Sequence, residues 1–434
     1  MKIGIIGIGY VGLVTAAGLA ELGHNVIGTD IDPKKIEKAN QGIPYIYEPG
    51  LEELLKTNLE KGRLSFSTGL DETIRKSEVL FVCVNTPQKK DGSADMCYVE
   101  SVSRQIAQNL NKYKLVVEKS TVPVKTSSWI KKVISLHKKG EAEFDVASNP
   151  EFLREGSAVQ DFLHPERIII GVETEQARKI LLEIYKSYKS RILITNIDTA
   201  EIIKHASNSF LATKISFVNM MADLCEKTDA DVELVAKGMG LDSRIGEKFL
   251  KAGIGYGGSC FPKDVKALIR IGEDLGLDFE LLRAVDRINS ERVDVFLEKV
   301  KKALWILKDK KIAILGLSFK PETDDIRNAP SIKIIDRLIE EGAVLSLYDP
   351  KAMEKMKEIF PVDSDQINYM KSPYDAVQDA HALLIITEWD EFKDLDLVKV
   401  KKLMANAIIV DGRNVFHKKE MDKLGFEYYS IGKH

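Results

Sequence analysis

The stretch KIGIIGIGYVGLVTAAGLAELGHNVIGTD, residues 2–30, leaves the chain few ways to fold. A short apolar run (KIGIIG) is followed by Gly7, Gly9 and Gly12 in G-x-G-x-x-G spacing, then by a helical pattern through Glu21 and a second apolar run ending at Asp30. A strand, a glycine turn, a helix and a strand in that order make the opening of a parallel doubly wound sheet. The first glycine permits the turn, the second lets a pyrophosphate approach the backbone, and the third lets helix and strand pack closely. Asp30, eighteen residues beyond Gly12, stands where a carboxylate accepts from a ribose 2′-hydroxyl and repels a 2′-phosphate, so we expect NAD rather than NADP. The basic start, apolar run and small residues are also built like a secretory signal. Glycines within the apolar stretch and the strand that follows argue that the segment is part of the fold.

Strands alternating with helical stretches continue through VLFVCVNT, LVVEKSTV and FDVASNP. From about Thr199 to Leu304 the pattern becomes nearly continuous helix, broken by a glycine loop at 253–258. A second βαβ pattern then begins at KKIAILGLSF and closes with ALLIIT and AIIVDGR. We therefore expect two Rossmann-like doubly wound α/β domains joined by a central helical region. The boundaries are 1–198 for the cofactor-binding domain, 199–304 for the helical middle and 305–434 for the second α/β domain. In the second α/β domain GLSFK replaces the glycine fingerprint, so no second dinucleotide is expected there. At 434 residues several domains are required in any case.

Acids and bases nearly balance, with a net charge of -3 and no polybasic tract, which disfavours nucleic acid and anionic membrane as partners. No apolar run is long enough to span a bilayer. The four cysteines lack C-x-x-C spacing, so neither a metal site nor a disulfide framework is expected, and a reducing, cytoplasmic setting fits.

Two further stretches carry chemistry. In GIGYGGSCFPKDV, residues 253–265, four glycines in six residues precede Cys260, and Phe-Pro-Lys-Asp follows it. Pro262 belongs in a first helical turn, which puts Cys260 at a helix N-terminus, where partial positive charge favours a thiolate. The plainer alternative is a tight loop holding an inert cysteine. In TAEIIKHASNSFLATKISF, Lys204 and Asn208 are four apart and share a helix face, either solvated or aimed into a cleft.

SNPEFLREGSA (148–158), EIIKHASNSFLATKISF (201–217), RIGEKFLKAGIGYGGSCFPKD (244–264) and GLSFKPETDDIR (316–327) occur in the order found in nucleotide-sugar dehydrogenases. Over essentially its whole length the chain resembles the UDP-glucose/GDP-mannose dehydrogenase family, and FLKAGIGYGGSC resembles its UDP-glucose branch. The resemblance implies a primary alcohol oxidised to a carboxylate in two steps, with two NAD and one water per sugar. A cysteine traps the aldehyde as a thiohemiacetal, which is oxidised to a thioester and hydrolysed. By the same resemblance Cys260 is the nucleophile, Lys204 and Asn208 stabilise the oxyanion, and Asp264 and Thr121 position water. Glu151 is implicated in thioester hydrolysis; which of Glu151, Asp264 and Lys204 is the base stays open. Cofactor contacts implied are Gly7, Gly9, Tyr10, Val11, Gly12, Asp30, Lys35, Thr86, Ser120, Thr121, Glu155, Lys263 and Arg327. Around the sugar nucleotide the resemblance implies Glu151, Phe152, Leu153, Lys204, Asn208, Phe249, Leu250, Lys251, Gly253, Tyr256, Gly257, Cys260, Phe319 and Lys320. Arg244, by the same resemblance a substrate-side residue, would reach a neighbouring subunit's site, which requires a homodimer; the resemblance makes 199–304 the dimerisation domain and 305–434 the UDP-sugar-binding domain. One departure is local: Asn219-Met220 stands where many bacterial relatives have Asn-Glu.

Other readings remain at this point. GDP-mannose or a UDP-N-acetylhexosamine could replace UDP-glucose. A two-electron hydroxyacid-type dehydrogenase would use Lys204 and Asn208 without Cys260. A redox sensor would use Cys260 alone, leaving Lys204, Asn208 and Asp264 unexplained.

Overall fold

The computed structural model describes residues 1–89, 93–362 and 366–433. The chain divides into two compact units, residues 1–207 with 270–276, and residues 208–269 with 277–434.

The first unit is built on eight strands: β1 (Lys2–Ile6), β2 (Asn25–Thr29), β3 (Leu64–Ser67), β4 (Val79–Val82), β5 (Lys114–Glu118), β6 (Phe144–Ser148), β7 (Arg167–Gly171) and β8 (Arg191–Thr195). Their order is β3-β2-β1-β4-β5-β6-β7-β8. β1 and β4 lie side by side at the middle, where the winding reverses, and Ile3 to Ile6 pair with Val79 to Val82 in parallel register. Both strands are covered on both faces, which is why they read as unbroken apolar runs rather than alternating ones. Ile3, Ile5, Leu13, Phe81 and Val117 form the core on one side of this sheet, and Ile6, Leu80, Val82 and Ile106 on the other.

Two features differ from the sequence expectation. β3, β7 and β8 were not expected, and the sheet is not wholly parallel, because β6 and β7 pair antiparallel at Ser148 and Gly171. The connection between them holds only a six-residue helix (Ala158–Leu163) in place of a full crossover, so the chain returns to the sheet from the same end.

The helical middle comprises Ile197–Cys225, Val232–Gly240, Phe261–Asp274 and Glu280–Leu304. Its interruption runs from 241 to 260, wider than the expected 253–258. Gly246 and Phe249 both sit at positive φ (70° and 66°), a backbone geometry that no helix accommodates.

The second unit contains a six-stranded parallel sheet of β9 (Lys311–Leu315), β10 (Val344–Tyr348), β11 (Ile367–Tyr369), β12 (Ala382–Ile385), β13 (Ile408–Asp411) and β14 (Glu427–Tyr429), in the order β11-β10-β9-β12-β13-β14. Asp349, just beyond β10, accepts from the N–H groups of Leu317 (2.7 Å) and Ser318 (3.1 Å) and from the Trp389 indole (3.2 Å). The carboxylate and the loop after β9 thus satisfy one another. Among the described residues, no helix is long and apolar enough to cross a membrane.

Candidate active site

In the first unit the glycine turn leaves β1 at the point where the winding reverses, the place where open α/β sheets bind ligands. Gly7 adopts φ +87°, and a Cβ on Gly12 would lie 1.9 Å from the Gly7 carbonyl oxygen, so the turn tolerates no side chain at either position. A Cβ on Gly9 would touch only Asn85 Oδ1, at 3.5 Å, which leaves the backbone open to a ligand. Tyr10 and Val11 begin the helix Tyr10–Glu21. Asp30 Oδ2 accepts from Ile8 N–H at 3.1 Å and lies 3.9 Å from Lys35 Nζ. These residues fit a dinucleotide: an unfilled glycine cradle at a helix start, with a carboxylate at the end of the second strand.

The turns beyond β4 and β5 are tied together, since Thr86 Oγ1 donates to the Thr121 carbonyl (2.9 Å) and Ser120 Oγ to that of Val84 (2.9 Å). Beyond β6, Glu151 is buried; Oε2 accepts from Leu153 N–H (2.6 Å) and Oε1 from Lys204 Nζ (2.9 Å). Phe152 stacks beneath two cations, with the Arg167 guanidinium 4.0 Å and Lys204 Nζ 5.3 Å from its ring centroid. Lys204 is therefore not the solvated helix-end charge that the sequence allowed, because it is only 3% exposed. Glu155 follows on the same loop and is also buried.

Sequence reasoning missed the polar network beneath this loop. Lys119 Nζ donates to the backbone carbonyl and side-chain oxygen of Asn149 (3.3 and 3.1 Å), and Tyr185 OH donates to the same Oδ1 (2.5 Å). Burial pushes Lys119 down to about 8 and its neighbour Glu118 up to about 8. The signal was present as EKST and SNPEF, but nothing in either stretch says that they meet.

In the second unit Cys260 immediately precedes the helix Phe261–Asp274, and Asp264 N–H closes the first turn on its carbonyl (2.9 Å). The expected helix start is there. Asp264 is 1% exposed; Oδ2 accepts from Asn208 Nδ2 at 2.6 Å and Oδ1 lies 3.3 Å from Lys263 Nζ. A carboxylate accepting an amide hydrogen bond out of water makes a strong, orienting contact. Asn208 is one turn beyond Lys204 on the helix Ile197–Cys225.

The remaining expected residues of this unit fall into two groups. Leu250 and Tyr256 are buried, the rings of Phe249 and Tyr256 lie 6.2 and 5.7 Å from that of Phe261, and Gly257 lies against Asn328. Gly253 N–H donates to Asn219 Oδ1 (2.8 Å), and Lys320 Nζ lies 5.5 Å from the Phe319 ring centroid. Lys251, Arg244 and Arg327 are more exposed, Arg244 being held by Asp242 (3.0 Å) and Arg327 by Asp325 (2.9 Å). Sequence reasoning also missed Arg413, whose Nη1 donates to the Gly255 carbonyl (2.9 Å) across 158 residues of chain.

A glycine turn at the reversal of a doubly wound sheet, with a carboxylate closing the second strand, defines a dinucleotide-binding dehydrogenase scaffold. Residues 1–189, 198–291 and 313–418 match the NAD binding, central and UDP binding domains of the UDP-glucose/GDP-mannose dehydrogenase family. The chain belongs to that family. It is 45% identical to a UDP-glucose 6-dehydrogenase of Bacillus subtilis, over all of this chain and 93% of that one. Among solved structures, a UDP-glucose dehydrogenase from Pyrobaculum islandicum superposes with a TM-score of 0.93 at 39% identity, covering 100% of this chain and 98% of the other. A UDP-D-ManNAc dehydrogenase from Pyrococcus horikoshii gives 0.88 at 30% identity, covering 100% and 99%.

Proposed function

We propose that the chain is a UDP-glucose 6-dehydrogenase that oxidises the sugar's primary alcohol to the carboxylate in two steps joined at Cys260. The observation that carries this reading is Cys260 at the start of a helix whose buried Asp264, one turn on, holds Asn208. NAD, when bound, accepts one hydride in each oxidation, so two NAD and one water are consumed per sugar and three protons are released. The glycine turn, Asp30, Lys35, Thr86, Ser120, Thr121, Glu155, Lys263 and Arg327 would hold it.

In the first oxidation the alcohol loses a hydride and its hydroxyl proton, giving the aldehyde. The Cys260 thiolate adds to the carbonyl carbon, forming a C–S bond and a thiohemiacetal. Loss of the second hydride gives a thioester, and water then breaks the C–S bond, releasing carboxylate and regenerating the thiol. Lys204, as an ammonium, and Asn208 stabilise the oxyanion at each stage, and a carboxylate 2.9 Å from Lys204 suits that charge. Glu151, Asp264 and Thr121 orient the hydrolytic water. Phe152, Leu153, Phe249, Leu250, Lys251, Gly253, Tyr256, Gly257, Phe319 and Lys320 contact the nucleotide sugar.

The helical middle, residues 199–304, we read as the dimerisation domain between α/β domains 1–198 and 305–434. Supporting this, Phe210, Phe217, Met220 and Leu224 on one helix are all exposed, and three of them are spaced seven apart. In such a dimer Arg244 would reach the partner's site. The test is turnover with NAD on UDP-glucose, GDP-mannose and UDP-N-acetylmannosamine. UDP-glucose should give the highest kcat/KM; a higher value for either other sugar would overturn the substrate assignment.

A further inference from the structure

The glycine loop before Cys260 is held by side chains far away in sequence. Asn289, in the helix Glu280–Leu304, accepts from Tyr256 N–H through Oδ1 (2.8 Å) and donates to the Tyr256 carbonyl through Nδ2 (3.0 Å). One carboxamide thus satisfies both polar groups of one residue, as a neighbouring strand would. The fit is reciprocal. Gly255 adopts φ +88°, and a Cβ there would lie 2.6 Å from Asn289 Oδ1, so the preceding residue must be glycine for the asparagine to reach. Two residues before Gly255, Gly253 N–H donates to Asn219, which is fully buried.

A loop so rich in glycine loses more conformational entropy on ordering than any other composition. If its ligand had to supply that order, affinity would fall by the same free energy. We propose that Asn289 is a positioning residue that orders the 253–258 loop in advance, so that the nucleotide sugar meets a formed surface. This rests on the reading that the loop wraps the sugar nucleotide. The residue type follows from the task. A carboxamide offers a donor and an acceptor side by side, whereas aspartate offers only acceptors and leucine, of similar shape, neither.

The test uses the full chain with Asn289→Leu and, should that variant fail to fold, Asn289→Asp. Hydrogen exchange of the amides in 253–258 should accelerate at least about tenfold, with exchange along β9 to β13 unchanged. The KM for UDP-glucose should rise about 10- to 30-fold, with kcat within about threefold and the KM for NAD unchanged, as expected when a ground-state binding surface is lost. Unchanged loop exchange would overturn the proposal, as would a uniform fall in kcat with both KM values unmoved. Should the wild type fail to oxidise UDP-glucose, the functional reading falls while exchange still decides the clamp. UDP alone would then slow exchange in the wild-type loop and bind the variant at least about tenfold more weakly. Equal UDP affinity would refute the clamp.

Discussion

Lys204→Met removes an ammonium that lies 2.9 Å from Glu151 Oε1, in a pair whose side chains are 4% and 5% exposed. At that separation and an effective dielectric of about 20, the attraction is ~6 kcal/mol, most of it offset by the desolvation of both groups. Deleting one partner leaves the desolvation uncompensated. Glu151 would keep the Leu153 N–H, and the expected loss is about 3–5 kcal/mol. In a chain of 434 residues that lowers the melting temperature by roughly 3–6 °C. Lys204→Met combined with Glu151→Gln removes both charges, and the double variant should recover at least half of the loss, about 2 kcal/mol, relative to Lys204→Met alone. Activity should behave differently. If Lys204 stabilises the oxyanion, kcat falls at least about a hundredfold in the single and the double variant alike. Thermal melting and initial-rate kinetics on the four proteins read both cycles. Additive stability effects, or recovery of kcat in the double variant, would refute the reasoning.

Glu118 should make stability fall with pH. The unfolded chain releases this proton near 4.5, whereas burial in β5 keeps it to about 8, so the folded state binds more protons in between and stability is lost across that window. Glu118→Gln removes the slope, and should melt higher than wild type at pH 9 but not at pH 4.5; equal melting at both would count against the buried carboxyl. Asn208→Ala frees a buried oxygen of Asp264 and removes the proposed oxyanion donor, so kcat on UDP-glucose should fall about 10²-fold with KM little changed. A rise in KM alone would make Asn208 a binding group.

Local features were legible and distant ones were not. The turn at Gly7 to Gly12, the strand ending at Asp30 and the helix start after Cys260 follow from short-range sterics, and each stands as expected. The burial of Lys204 could not be read from its spacing to Asn208, because the acid that accompanies it is 53 residues away. Lys119 on Asn149, Asn289 on Tyr256 and Arg413 on Gly255 belong to the same class. Polar side chains on helices and at strand ends look like ordinary surface residues until the fold supplies their partners. The antiparallel entry of β7 was hidden for a related reason: nothing within RIIIG fixes a strand's direction, and only the shortness of the helix before it decides.

The central claim, two oxidations joined by Cys260, is met most directly by counting. Purified protein is mixed with excess NAD and limiting UDP-glucose, and the NADH formed per sugar is measured at completion for the wild type and for Cys260→Ala. Two NADH per sugar from the wild type and no more than one from the variant is the predicted result. One per sugar from the wild type, or two from the variant, would contradict it.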